Sequence, residues 1–287
     1  MAGVPNAQMT TRIEKTLTTG NATIAYEVCG DGPALLMIQG VGVAGSGWRP
    51  QTDVLSSSYR TIIIDNRGLG RSSRGDGAVT IERMAADALA VADAEGAARF
   101  HLAGHSMGGL IAQHVAVTAR SRIASLSLMC TFGNGKDGAR LPPAMLMRAI
   151  RTRIGTRGMR RQAMLALVVA PERLATTDRE RLASELASLF GHDLADQPPI
   201  VMKQLKSMSN YGPTRGLDTL AGLPTLVVSG AHDLIARPAL GRALAASIPG
   251  ARYVEFADAG HALPIECAGR ANELLLSHLD AAVGTRP

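Results

Sequence analysis

Short, nearly continuous apolar runs bounded by Gly, Pro or Asp recur along this chain of 287 residues, separated by longer stretches of helical period. They are ALLMIQ (34–39), RTIIID (60–65), RFHLAG (99–104), ASLSLMC (124–130), PTLVVSG (224–230) and RYVEFA (252–257). Runs this short and this apolar suit strands buried on both faces, and a sheet can bury both faces only when helices cover each side. The expected helices lie between the runs. One spans Thr80 to about Glu95, with Ile81, Met84, Ala85, Ala88, Leu89 and Ala92 on one stripe and Gly96 as its stop. Others span Met107 to Arg120, Pro238 to Ser247 and roughly Pro264 to Ala281. Upstream, TRIEKTLTT and ATIAYEVCG alternate instead, with Ile24, Tyr26 and Val28 on one face and Thr23 and Glu27 on the other. That alternation predicts an antiparallel edge, and Asp31-Gly32-Pro33 turns the chain into the next strand. The fold class is therefore α/β, with a mostly parallel eight-stranded sheet and flanking helices.

Residues 132 to about 218 interrupt this rhythm. Four helical stretches follow one another there, near 141–154, 156–170, 177–190 and 197–209, with no strand between them. The spacing predicts an inserted helical cap over 132–218, with the core built from 1–131 and 219–287. The cap methionines, among them Met145, Met147, Met159, Met164, Met202 and Met208, read first as helix core, and their flexible thioethers also suit an adaptable pocket wall.

Composition narrows the function classes. A hydrophobic content of 46% is ample for one large core. The opening MAGVPNAQMTTRIEK has neither a basic nor an apolar leader region, and no stretch is long and apolar enough to span a bilayer, so a cytoplasmic protein without membrane partners is expected. Cys29, Cys130 and Cys267 lie far apart, an odd set with neither metal nor disulfide spacing, which reads as reduced thiols. Net charge is +6, and residues 136 to 215 alone carry +7. Between Gly138 and Pro171 there is no acid, while Arg148, Arg151, Arg153, Arg157, Arg160 and Arg161 cluster there. The plain reading is a solvated helix face, and the sharper one is attraction for an anionic substrate or an acidic carrier protein. Nucleic acid ranks below both, because no aromatics interleave the basic residues.

One stretch is not explained by packing. HLAGHSMGGLIAQ (101–113) places a serine between glycines inside an apolar run, where an isolated hydroxyl is penalised and glycines weaken strand and helix alike. Gly104 to Gly108 match G-x-S-x-G; the motif ends an apolar strand and opens an apolar helix, the setting in which a strained turn lifts the serine oxygen above the sheet. A serine hydroxyl is a poor nucleophile unless a base takes its proton, and the base needs an orienting acid. Downstream, SGAHD ends a strand at Asp233, and DAGHALP puts His261 in a glycine-flanked loop before the last helix. The order Ser106, Asp233, His261 is the one expected for a triad on this topology. The remaining histidines, His101, His105, His114, His192, His232 and His278, read as structural or surface groups. Cys130 ends an apolar run with no glycine turn to present it, which weighs against a nucleophilic role.

A tetrahedral intermediate needs two donors aimed at its oxyanion. Met107 N–H, at the positive end of the helix that follows the serine, is one. Gly40-Val41-Gly42 after ALLMIQ lets the backbone approach closely, and Val41 N–H is assigned as the second. Gly40, Gly42 and Trp48 are the candidate substrate contacts, although sealing this loop against the sheet is the favoured role for Trp48.

With these residues in place the sequence resembles the α/β-hydrolase superfamily over about residues 12 to 280, the cap excepted. Besides GHSMG, DNRGLGRSS (65–73) is similar to the D-x-R-G-x-G-x-S turn of cap-bearing esterases, C–C hydrolases and haloperoxidase-like members. The resemblance implies that Gly68 and Gly70 permit a bend and that Arg67 ties loops together. The sequence departs from the family in carrying Gln39-Gly40 where members commonly have His-Gly. Ser in place of Asp at the nucleophile position argues against epoxide-hydrolase chemistry by a covalent carboxylate. No metal or cofactor is implied. The expected activity is serine hydrolysis of an ester, lactone or thioester of a small to medium apolar substrate. Carbon–carbon bond cleavage next to a ketone, and a non-hydrolytic receptor or tailoring protein, stay open as alternatives.

Overall fold

The computed structural model describes residues 11–139 and 143–284, with only the backbone at 143–146 and 284. The opening segment 1–10 and the Met145 side chain, both considered above, lie outside the described residues. Strands β1 (Arg12–Thr19), β2 (Ala22–Cys29), β3 (Ala34–Ile38), β4 (Arg60–Ile64), β5 (Phe100–His105), β6 (Ile123–Met129), β7 (Thr225–Gly230) and β8 (Arg252–Phe256) form one eight-stranded sheet in the order β1-β2-β4-β3-β5-β6-β7-β8. β1, β2 and β4 pair antiparallel, and every pairing from β4 to β8 is parallel. The strands fall where the apolar runs predict them. Only β1 is an edge at that end, and β2 is buried on both faces; Glu27, expected to face outward, is buried and held by Arg12 and Arg49, each at 3.1 Å. β8 forms the opposite edge, which explains its partly exposed side chains.

Alternation along β3 divides the core. Leu36 and Ile38 join a cluster with Ile81, Met84, Leu110, Ile111 and Leu244, from α2 (Ile81–Ala94), α3 (Met107–Thr118) and α10 (Pro238–Ala246). Leu35 and Met37 point the other way, against Trp48 and against Leu55, Leu275 and Leu279 from α1 (Arg49–Leu55) and α12 (Ala268–Gly284). α1 follows a 3-10 turn at Gly45–Trp48 and escapes the sequence reading because its glycines and Pro50 look like a loop; Pro50 instead occupies the first helical turn, where its missing N–H costs nothing. The expected final helix is split into α11 (Leu263–Glu266) and α12 by a non-helical Cys267.

Between β6 and β7 the chain runs through α4 (Gly135–Ala139), α5 (Pro143–Arg151), α6 (Arg157–Val168), α7 (Pro171–Thr176), α8 (Arg179–Phe190) and α9 (Val201–Tyr211). Thr156 caps α6, Asp178 caps α8 by accepting from Glu180 and Arg181 N–H, and left-handed Gly191 ends α8. This insertion has an apolar cluster of its own, built on Leu165, Val168, Leu182 and Leu186. Met147 and Met159 are exposed, while Met208 is buried, so the cap methionines divide between surface and interior.

The D-x-R-G-x-G-x-S turn behaves as its resemblance implies. Gly68 (φ +76°) and Gly70 (φ +51°) bend the chain, and a Cβ at Gly70 would lie 2.2 Å from Asp65 Oδ2. Arg67 is buried and joins Asp87 of α2 (Nη2···Oδ1 2.7 Å) to Thr19 Oγ1 of β1 (3.2 Å). Removing one member of such a pair strands the other charge in the interior. Asp87→Ala is expected to cost about 3–5 kcal/mol in urea denaturation, and a wild-type midpoint would contradict a structural role for this pair.

Candidate active site

β5 delivers Ser106 at its carboxyl end, and the backbone there is left-handed, with φ +55° and ψ −122°. Three glycines make the turn possible. A Cβ at Gly104 would meet Gly108 O at 2.3 Å, one at Gly108 would meet Ile38 O at 2.1 Å, and one at Gly40 would meet Ser106 Cβ at 2.8 Å. α3 therefore starts in contact with β3, and the loop after β3 lies against the serine. Because β4 and β5 flank β3 on opposite sides, the carboxyl ends of β3 and β5 border the crevice where α/β sheets bind ligands.

The other two triad candidates converge on this point. Ser106 Oγ lies 3.0 Å from His261 Nε2, and His261 Nδ1 lies 2.8 Å from Asp233 Oδ2. The second Asp233 oxygen accepts Ile235 and Ala236 N–H, both at 2.8 Å, which fixes the carboxylate without neutralising it. All three side chains are buried, at 5%, 7% and 2% exposure for Ser106, His261 and Asp233. A protonated Nδ1 donating to Asp233 leaves Nε2 free to accept from the serine hydroxyl.

Of the residues that hold this set, His105 and Gln39 are singled out by the sequence, and Glu266 is not. His105 Nε2 donates to the His261 carbonyl (2.8 Å), and its Nδ1 lies 3.2 Å from the Gln39 carboxamide. Gln39, where the family commonly has His, thus supports the elbow; Gly47 leaves it room, since a Cβ there would sit 2.7 Å from Gln39 Nε2. Glu266 accepts Gly260 N–H (3.1 Å) and Ala170 N–H (2.8 Å), tying the His261 loop to the insertion. Burial pushes its carboxyl up. Its sequence signal, a lone acid after a proline, does not distinguish it from a surface residue. Cys130 is buried with its thiol 3.8 Å from Gly260 O, and burial pushes that thiol up, away from the thiolate a nucleophile needs.

Met107 directly follows the serine, and Val41 follows Gly40, whose Cβ position abuts Ser106. Met107 N–H is the first of its helix and has no intrahelical acceptor. Gly40, Val41, Gly42, Ser106 and His261 line a cavity of about 370 Å³ beneath the insertion. Most of its wall is apolar, including Met164, Leu167, Phe190, Met202, Leu205 and Met208. Trp48 is not part of that wall. It is fully buried among Leu35, Met37 and Leu55, edge-on to the His105 ring with centroids 6.3 Å apart, and its assignment as a substrate contact is corrected to sealing the loop.

The arginine cluster is largely paired within the insertion. Arg157 contacts Asp193 and Asp196 at 2.7 Å each, Arg161 grips Asp193 (Nε···Oδ1 2.9 Å), Arg160 lies 3.6 Å from Asp196, and Arg153 donates to Gln197 at 3.2 Å. Arg161 and a backbone N–H hold the Asp193 carboxyl far below the usual range. Among the described residues no cluster of His, Cys, Asp or Glu is arranged to hold a metal, and no helix is long and apolar enough to cross a membrane.

The family model for the alpha/beta hydrolase fold matches residues 33–267. The chain belongs to the α/β-hydrolase fold family. Among α/β hydrolases, it is 30% identical to a candidate carbamate hydrolase, RutD, of Azorhizobium caulinodans, over 90% of this chain and 95% of that one. It is 28% identical to an enol-lactonase from Burkholderia xenovorans, with a TM-score of 0.76 over 93% of this chain and 100% of that structure. A thermophilic esterase from Thermogutta terrifontis superposes with a TM-score of 0.75 at 26% identity, covering 95% and 99% of the two chains.

Two buried imidazoles of β5 make stability depend on pH. Burial pushes His101, which contacts Ser125 Oγ at 2.8 Å, down to about 4, and His105 down to about 3. Unfolded, both titrate near 6.5, so as pH falls below about 6.5 the unfolded chain binds protons that the folded chain refuses. Their stabilisation is complete above that pH and is lost as pH descends toward the folded values. The urea midpoint is expected to fall from about pH 7.5 to about pH 5, and His101→Gln to flatten that decline; a midpoint constant over this range would contradict neutral burial.

Proposed function

We propose that this α/β hydrolase cleaves an ester, lactone or thioester through an acyl-enzyme on Ser106. The observation that carries this reading is the continuous chain Ser106 Oγ, His261 Nε2, His261 Nδ1, Asp233 Oδ2, with links of 3.0 and 2.8 Å at the mouth of an apolar cavity. His261 takes the serine proton as Oγ attacks the acyl carbon, and Val41 and Met107 N–H receive the oxyanion. The imidazolium, paired with ionised Asp233, then protonates the leaving group. Water, activated by the same ring, releases the acid.

The insertion acts as a cap whose apolar underside favours a small to medium apolar acyl group, and about 370 Å³ lies in the usual range for a small-molecule site. A lactonase and an esterase among the similar structures fit this substrate class. Internal pairing of Arg157, Arg160 and Arg161 with Asp193 and Asp196 favours a free small substrate over delivery by an acidic carrier.

Ser106→Ala is expected to abolish turnover of short-chain esters and labelling by a fluorophosphonate probe while leaving the fold intact. Asp233→Asn is expected to lower kcat by roughly 10⁴, because the ring loses its tautomer control. Undiminished labelling of the alanine variant would overturn the assignment.

A further inference from the structure

We propose that the insertion aims the oxyanion donor: Gln204 and His192 are positioning residues that hold the Val41 amide in place by gripping the peptide groups of Gly42. This rests on the reading above, in which Val41 N–H receives the oxyanion.

The loop after β3 does not fix itself. Its own turn closes only through a 3.5 Å contact from Val43 N–H to Gly40 O, and it passes through left-handed Gly42 (φ +73°), the most permissive point of the segment. The core anchors it on either side of this point. Asn66 Nδ2 donates to Gln39 O at 2.9 Å, and Asp65 Oδ1 accepts Gly45 N–H at 2.8 Å. What lies between is held from the insertion. Gln204 Oε1, on α9, accepts Gly42 N–H at 2.9 Å; His192 Nε2, just after α8, reaches Gly42 O at 2.8 Å; Phe190 O accepts Ala44 N–H at 3.1 Å.

Gly42 N–H belongs to the peptide that follows Val41. Gln204 thus holds the peptide after the one that carries Val41 N–H, and Asn66 holds the peptide before it, so the Gly40–Val41 amide is restrained from both ends. The burial of Gln204 says the same. Its side chain is fully buried, and Nε2 has no partner among the described residues, an arrangement that costs stability compared with an apolar side chain. Covering the cavity would not require a carboxamide at this position, whereas orienting an N–H does.

The test compares an oxo ester with the thiono ester of the same acyl and leaving groups. Thiocarbonyl sulfur accepts hydrogen bonds poorly, so the ratio of the two kcat/KM values reads the oxyanion donors, and differences in substrate contact at His192 cancel. Wild type is expected to favour the oxo ester strongly. Gln204→Met and His192→Leu are expected to lower kcat for the oxo ester by less than the roughly 10²–10³ that deleting a donor costs, with KM little changed and the oxo/thiono ratio falling in the same proportion. His192→Gln, which keeps an N–H donor, is expected to restore most of both. Loss of kcat with an unchanged ratio, or no loss at all in a folded variant, would overturn the proposal; should Gln204→Met fail to fold, the His192 pair decides alone. A wild-type enzyme with no oxo preference, or a Ser106→Ala variant that still turns over, would instead sink the serine-hydrolase reading itself.

Discussion

The close crossing of α3 over β3 and β5 is the contact on which the rest of this structure depends. Only hydrogens at Gly104 and Gly108 let a helix begin within 2.1–2.3 Å, Cβ-equivalent distance, of the neighbouring carbonyls, and only that proximity forces Ser106 into a left-handed backbone. Such a conformation in a residue with a Cβ costs of order 1–3 kcal/mol and survives because packing over-determines it. That turn carries one hydroxyl off the end of a strand buried along its whole length. It also sets the first amide of α3 next to that hydroxyl, so the candidate nucleophile and one candidate donor come from a single turn.

Around that point, loops from distant parts of the sequence are pinned by buried polar bonds. Asp65 and Asn66 hold the loop after β3, Asp233 is held by the two amides that follow it, and Glu266 and His105 hold the His261 loop. Each bond contributes little alone, yet leaving its partner unsatisfied in the interior would cost more than the bond is worth, so the arrangement is cooperative. The insertion joins this network. Ala170 reaches Glu266, Ala262 N–H donates to Val168 O at 2.8 Å, and Ser46 Oγ donates to Leu189 O at 2.8 Å. The helical layer is thus tied both to the loop after β3 and to the His261 loop, and it covers the candidate site.

Strands and triad candidates were legible in the sequence because each leaves a local signature: apolar runs with turn residues at their ends, and glycines around Ser106 and His261 where packing alone would not place them. The hydroxyl, imidazole and carboxylate have few roles in such loops, so their order along the chain was informative. Gln204, Glu266 and His192 left no such mark, since their partners lie 162, 6 and 150 residues away or are backbone amides that any residue carries. The arginine cluster is partly hidden from the sequence in a related way. Asp193 and Asp196 pair with Arg157, Arg160 and Arg161 from a loop some 30 residues downstream, which a window of local charge does not see. Trp48 was ambiguous for want of a direction: an aromatic near a site faces either the cavity or the sheet, and only tertiary packing turns it inward.

The most direct test is to quench turnover of a slowly deacylating ester with acid, digest the protein and locate the acyl group by mass spectrometry. The account predicts a stoichiometric adduct on the peptide carrying Ser106, with accumulation lost in His261→Ala. An adduct on Cys130 or another residue, or product formed with no covalent species at any time, would contradict it.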